Sequence, residues 1–235
     1  MQLSVSDEVS AVFGEVRVVA ITAEPVDNAT PWPGVAARLD ALERAAEAGH
    51  WQPPGEDDAR IAAWHAAYRR FGTNPRRQRP SVDALTRRLG RTGRLPRINA
   101  LVDCYNLVSV THVLPAGAFD MDRVDGDIVI RFARPDDAFV PLGEPDTVET
   151  PHPGEVVYTD DRTVLTRHWN HRDADATKVT EQSRRVLIVL EAIDAAHHAS
   201  LYAAADDLAA LLAPRSGRVS AQVLDAGQAR VSLER

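Results

Sequence analysis

The sequence predicts an α+β fold, with mixed or antiparallel sheets flanked by helices, and three observations carry that expectation. Short runs rich in β-branched residues recur at residues 16–22, 127–133, 155–159, 164–168 and 185–190. Segments with helical spacing lie among them, but not in the regular strand–helix–strand alternation of a doubly wound parallel sheet. The chain is 44% hydrophobic and 26% charged, the balance of a globular protein.

Residues 16–22, VRVVAIT, read as a buried strand. Pro31-Trp32-Pro33-Gly34 makes a turn, and residues 35–48 follow with helical spacing up to Gly49, a fitting C-cap. Pro53-Pro54-Gly55 breaks the chain, and Asp57 or Asp58 then caps a helix to about Tyr68, with Trp64 and Tyr68 four apart on one face. Residues 71–75 form a loop, and Pro80-Ser81 opens a helix over 82–89. Gly143, Gly154 and Asp160-Asp161 punctuate the later strands. Residues 195–212 make a long alanine-rich helix that Pro214 stops. Residues 218–224 and 229–233 alternate, as a closing hairpin around Asp225-Ala226-Gly227 would. A single domain over residues 1–235 is expected.

Several classes are disfavoured. No apolar run approaches the roughly 20 residues of a membrane span. The N-terminus lacks a basic segment leading into an apolar one, so no secretory leader is expected, and a cytoplasmic location is the default. Cys104 is the sole cysteine, which excludes an internal disulfide framework and a cysteine-rich metal site. No H-E-x-x-H, P-loop, G-x-S-x-G or G-x-G-x-x-G motif is present, and no metal or cofactor is expected.

The net charge of −7 is unevenly distributed. Ten arginines and one acid, Asp83, fall between Arg69 and Arg97, a local charge of +9 in a chain whose remainder carries −16. With almost no acid nearby in sequence to neutralise it, this block reads as a phosphate-binding surface. Arg76, Arg77 and Arg79 are its candidate contacts with an RNA backbone. Tyr68 and Phe71 beside it either stack on unpaired bases or belong to the core.

The most informative stretch is residues 96–120, LPRINALVDCYNLVSVTHVLPAGAFD. Asn99, Asp103 and Asn106 are spaced four and three apart, so a helix places them on one face amid apolar neighbours. Unpaired amides and carboxylates are costly in a core. Such a face therefore either ties into the backbone or borders a polar cavity.

Two motifs here, Ile98-Asn99-Ala100-Leu101-Val102-Asp103-Cys104-Tyr105-Asn106-Leu107-Val108 and Pro115-Ala116-Gly117-Ala118-Phe119-Asp120, resemble I-N-x-x-V-D-x-x-N-x-V and P-x-x-A-F-D. These patterns mark the editing module formed by the third and fourth domains of the bacterial phenylalanyl-tRNA synthetase β subunit. The resemblance is strongest over residues 63–191, with residues 192–235 as a helix and hairpin packed on it. It implies a pocket for an amino acid misattached to the tRNA 3′ end, lined by this helix and the loop after it.

Carried over by position, Asn106 matches a pocket asparagine. Tyr105 stands where the synthetases usually have threonine, and Gly117 where they usually have histidine, so the amino acid recognised is not inherited. Asn99 and Gly143 are further pocket candidates. The stretch Trp169-Asn170-His171-Arg172-Asp173-Ala174-Asp175-Ala176-Thr177-Lys178-Val179-Thr180 reads as a long polar connection between two strands. In the resembling module the equivalent loop contributes a substrate-reading glutamate. Asp173 or Asp175 is the nearest acid here, with Trp169 and Arg172 beside them.

The resulting expectation is a free-standing editing domain that hydrolyses the ester of misacylated tRNA in trans. Asn106, Asp173 and Asp175 are its catalytic candidates, and the acceptor end of tRNA and the aminoacyl ester its partners. The alternatives are a non-catalytic tRNA- or amino-acid-binding module and a small-molecule hydrolase.

Overall fold

The computed structural model describes residues 1–233, which form six α-helices and two sheets in an α+β arrangement. The strands are β1 (Gln2–Val5), β2 (Arg17–Val26), β3 (Ala116–Asp120), β4 (Ile128–Phe132), β5 (Val156–Thr159), β6 (Val164–Arg167), β7 (Arg172–Asp173), β8 (Val186–Ala192), β9 (Ser216–Leu224) and β10 (Arg230–Ser232). The helices are α1 (Asp7–Val12), α2 (Pro33–Glu47), α3 (Ala59–Arg70), α4 (Ser81–Thr92), α5 (Ala100–His112) and α6 (His198–Leu212).

The larger sheet has the order β10-β1-β4-β5-β6-β7, with β1 parallel to β4 and the other pairs antiparallel. The smaller, β3-β8-β2-β9, is antiparallel throughout.

Period-two alternation in the small sheet explains how the layers stack. Val186, Ile188 and Leu190 of β8 pack with Leu101, Leu107 and Val108 of α5 and Leu201 and Leu208 of α6. The intervening Leu187 and Val189 pack with Leu3, Ile128, Ile130, Val156 and Tyr158 of the large sheet. Helices therefore cover one face of the small sheet, and the large sheet covers the other. Because both faces of β8 are buried, its sequence VLIVLEA is apolar except for one residue, Glu191.

Most expected elements form close to their predicted limits. Asp58 is the N-cap of α3, and Gly93, at φ 70°, ends α4. Four expectations need correction. The N-terminal strand β1 and helix α1 have no counterpart in the sequence reading; β1 is short and finds its partners more than a hundred residues away. The segment after α5, expected as a loop, is β3, which pairs with β8 along Ala116–Asp120. The long connection after Trp169 is interrupted by the two-residue strand β7: Arg167 pairs with Arg172 and Thr166 with Asp173, which leaves a four-residue hairpin turn at 168–171. The closing hairpin forms only at its turn, where Asp225 and Gln228 exchange backbone hydrogen bonds at 3.1–3.2 Å, and its strands then part. β9 joins β2 in the small sheet, while β10 crosses to β1 in the large one.

Candidate functional site

Opposite the helices, between the two sheets, lies a cavity of about 50 Å³ lined by Gly117, Tyr158, Thr166, His171, Asp173 and Glu191, among others. Each sheet contributes by simple register. Gly117 pairs with Val189 and shares the inter-sheet face of β3 with Phe119. Glu191 is two residues beyond Val189 on the same face of β8. From the large sheet, Tyr158 pairs with Thr166 and Thr166 with Asp173. An ideal Cβ on Gly117 would find its nearest neighbour, Val189 Cγ2, at 3.8 Å, so the missing side chain is what leaves this space open.

Glu191 is 1% exposed, and its carboxyl accepts three hydrogen bonds: from Tyr158 Oη at 2.5 Å, Trp169 Nε1 at 2.8 Å and Asn170 Nδ2 at 2.8 Å. Burial raises its pKa to about 7, against the opposing pull of these donors and with help from the nearby Asp173 charge. Asp173 accepts one bond, from Thr166 Oγ1 at 2.9 Å, and burial raises its pKa to about 6. Its second oxygen has no partner among the described residues. Ser81 Oγ, also in the cavity wall, is buried with no hydrogen-bond partner among the described residues. Unsatisfied polar atoms around a space large enough for a few waters mark a site for polar ligands.

The turn that closes the cavity is conformationally costly. His168 and Trp169 both adopt left-handed backbone, at φ 46° and 66°. Two such non-glycine residues cost on the order of 1–3 kcal/mol each and persist only where the surroundings enforce them. Here His168 N donates to Glu155 Oε1 at 2.9 Å, and Trp169 N donates to the Val156 carbonyl at 2.6 Å. The Trp169 ring meets Phe13, Trp64 and Phe71 at centroid distances of 5.0–6.2 Å. Glu155 itself, 1% exposed, is bound by Arg167 at 2.8–2.9 Å. Its burial would raise the carboxyl pKa, but the contacts with Arg167 and His168 together outweigh that and lower it.

The expected site residues are distributed as follows. Gly117, Trp169 and Asp173 line the cavity together. Tyr105 lies behind it, close enough for the Asp173 charge to add to burial in raising its phenol pKa. Asn106 is 7% exposed, lies outside the lining, and makes no side-chain hydrogen bond among the described residues.

Asn99 and Asp103 lie outside this cavity; with Trp32, Leu39 and Arg97 they border a separate groove of about 220 Å³, and both also serve the start of α5. Asn99 Oδ1 accepts from Val102 N at 3.0 Å, and Asp103 Oδ1 accepts from Ile98 N at 2.8 Å. Asn99 Nδ2 also reaches the Val179 carbonyl at 3.2 Å, which ties α5 to the end of the segment after Trp169. Asp175 and Gly143 meet each other: Gly143 N donates to Asp175 Oδ1 at 3.0 Å, and Lys178 Nζ does so at 2.7 Å. Arg172 pairs with Glu144 rather than with either aspartate of its own segment.

The arginine block is less bare than its sequence suggests, because acids distant in the chain fold against it. Arg76 pairs with Glu56 at 2.8 Å; Arg79 and Arg87 clasp the fully buried Asp83 at 2.9 and 2.6 Å; Arg97 pairs with Asp40 and Glu43. Arg69, Arg77, Arg88, Arg91 and Arg94 are exposed or half-buried and have no ion pair among the described residues. Tyr68 and Phe71 are core residues.

The block is joined to the cavity. Tyr68 Oη donates to Asn170 Oδ1 at 2.8 Å, and His171 Nδ1 lies 2.8 Å from the Arg79 carbonyl. Glu191, Asn170 and His171 are cavity residues that the sequence motifs do not single out. A lone acid inside the apolar run of β8 is the available signal for the first.

A family model described as the B3/4 domain matches residues 63–212. The chain belongs to the B3/4 domain family, that of the phenylalanyl-tRNA synthetase β subunit. The matched span of this B3/4 protein includes β3, the hairpin turn and β8, and so every cavity residue named above. No curated protein matches the chain. Among solved structures it is similar to an N-terminal fragment of the phenylalanyl-tRNA synthetase β subunit from Pyrococcus horikoshii, at 14% identity and a TM-score of 0.48. That alignment covers 92% of this chain and 49% of the fragment, so the chain spans about half its length. No helix among the described residues is long and apolar enough to cross a membrane.

Proposed function

We propose that this B3/4 protein is an aminoacyl-tRNA editing domain, which binds the acceptor end of tRNA and hydrolyses the ester of a misattached amino acid in trans. Family membership implies a tRNA-related role. The observation that carries the finer reading is the pair of carboxyl groups, the buried Glu191 and the half-buried Asp173, lining one cavity with the side-chain-free backbone at Gly117. An aminoacyl ester presents one cation, its α-ammonium, beside the carbonyl to be attacked. A carboxylate-lined cavity complements that cation, and Asp173, with an oxygen to spare, is its partner.

The ester is already activated, so the protein has to position a water and stabilise the developing oxyanion. Gly117 lets the substrate approach the strand closely. β3 is an edge strand, so part of its backbone N–H set is left over from pairing with β8 to meet that oxyanion. Tyr105 and Trp169 shape the walls. Asp175 holds the Gly143 turn in place. The unpaired arginines, Arg77 foremost, grip the acceptor-stem phosphates. Arg76 and Arg79, engaged with Glu56 and Asp83, hold that segment in shape.

The test is to mix purified protein with a panel of correctly and incorrectly charged tRNAs and follow release of free amino acid. Release that falls on Asp173→Asn supports the proposal. A second reading, a binding module without turnover, is favoured by the small volume of the cavity. Salt-sensitive tRNA binding without release would select it, and neither binding nor release would overturn both.

A further inference from the structure

We propose that His171 is the general base of this hydrolysis, taking onto Nε2 the proton of the water that attacks the ester carbonyl. The assignment rests on the editing reading above and deepens it. It begins with a tautomer. His171 Nδ1 lies 2.8 Å from the backbone carbonyl of Arg79, and a carbonyl oxygen can only accept. Nδ1 must therefore carry the ring hydrogen, and in the neutral imidazole the lone pair is left on Nε2.

His171 lines the cavity together with Ser81, Asp173 and Glu191, and no protein group among the described residues occupies Nε2. A basic nitrogen, an unpartnered hydroxyl and an unpartnered carboxylate oxygen thus border one space with room for a few waters.

The neighbours divide the remaining roles. Glu191 has three of its roughly four acceptor sites taken by Tyr158, Trp169 and Asn170, and serves to hold these three side chains in place. Asp173 answers the ammonium. His168, the other imidazole of the turn, has its Nδ1 2.8 Å from Thr73 Oγ1 and 3.4 Å from Glu155, and is not part of the cavity wall. The charged groups around His171 are Arg167, Arg172 and Glu155, with Asp173 and Glu191 across the cavity. Burial, reinforced by the two arginines, lowers the His171 pKa, so the ring is neutral and able to accept a proton at pH 7.

The chemistry balances without a further reactant. Water oxygen bonds to the carbonyl carbon as its proton passes to Nε2. The bond from that carbon to the ribose oxygen then breaks, and the imidazolium returns the proton to the departing ribose oxygen. Free amino acid and uncharged tRNA are the products. The Glu155 charge, which favours the protonated ring, stabilises the transient imidazolium.

His171→Asn is the informative variant, because its amide can still donate to the Arg79 carbonyl while nothing replaces Nε2. On a tRNA that the wild type deacylates, it should lose about 10²–10⁴-fold in rate with tRNA affinity unchanged. His171→Ala should lose as much and recover part of it with added imidazole. The ascending limb of the wild-type pH–rate profile should change in both to the one set by ionisation of Asp173 alone, near pH 6. A wild-type rate in His171→Asn, or a loss that imidazole cannot restore and that leaves the limb intact, would overturn the assignment while the editing reading stood. A wild type that deacylates no charged tRNA would overturn the editing reading itself.

Discussion

Replacing Glu191 with glutamine should remove a pH dependence from folding stability. In the folded protein burial lifts this carboxyl to about 7, against an ordinary value of 4.5. Below pH 4.5 the group is protonated in both folded and unfolded chains, and its contribution to stability is fully present. Between 4.5 and 7 the unfolded chain ionises while the folded chain keeps its proton, so each pH unit removes about 1.4 kcal/mol of stability. Above 7 the loss is complete, at about 3 kcal/mol. For a chain of this size that corresponds to roughly 6–12 °C in melting temperature.

Glutamine cannot ionise, and the pocket has a way to receive it. Asn170 can rotate its amide to present Oδ1 to the new N–H, and Tyr68 Oη can then accept from Asn170 Nδ2. Chemical denaturation of both proteins from pH 4.5 to 8 gives the difference in unfolding free energy at each pH. That difference should move in favour of Glu191→Gln by about 3 kcal/mol across the range. A flat difference, or one that moves the other way, would refute a proton-retaining Glu191.

Three further outcomes follow from the site. Asp173→Asn should lower deacylation of tRNA bearing a free α-amino group and narrow the preference over its N-acetylated form; an unchanged preference would remove Asp173 from the ammonium contact. Replacing Arg69, Arg77, Arg88 and Arg91 with glutamine should reduce the slope of log affinity against log salt by about 0.7–0.9 for each phosphate that is no longer neutralised. Thermal stability should barely change in that variant, whereas Arg79→Gln should destabilise by roughly 1–3 kcal/mol, because Asp83 is fully buried and would be left with one partner fewer. Gly117→His has room for its Cβ but must fill the cavity with its ring, so the range of amino acids released should contract, measured on the same tRNA panel.

Local signals account for most of the helices. α3 carries a side-chain cap in Asp58 and α4 a stop in Gly93, and such information is independent of tertiary partners. Asn99, Asp103 and Asn106 are legible as one polar group but not by purpose. The first two satisfy backbone N–H groups at the helix start, a role that spacing alone does not separate from lining a cavity. β3 reads as a loop in the sequence because its identity as a strand comes from pairing with β8 some seventy residues later. Glu56 and Glu43 show the same limit for charge: an arginine-rich segment reads as unneutralised until the fold brings distant acids to it. The positive φ angles at His168 and Trp169 have no sequence signature of the kind that glycine or asparagine provides.

β8 supplies the helix-side core with one set of alternate residues and the cavity with the other, ending at Glu191. Inserting or deleting a single residue in it would swap the two sets, driving the acid among the leucines of α5 and α6 and aiming aliphatic chains at the cavity. Fold and chemistry are thus written on the same seven positions, and descendants of this chain cannot revise one without the other. Besides Gly117, the place for new specificities is the four-residue turn at 168–171, which can change its side chains without moving the register of either sheet.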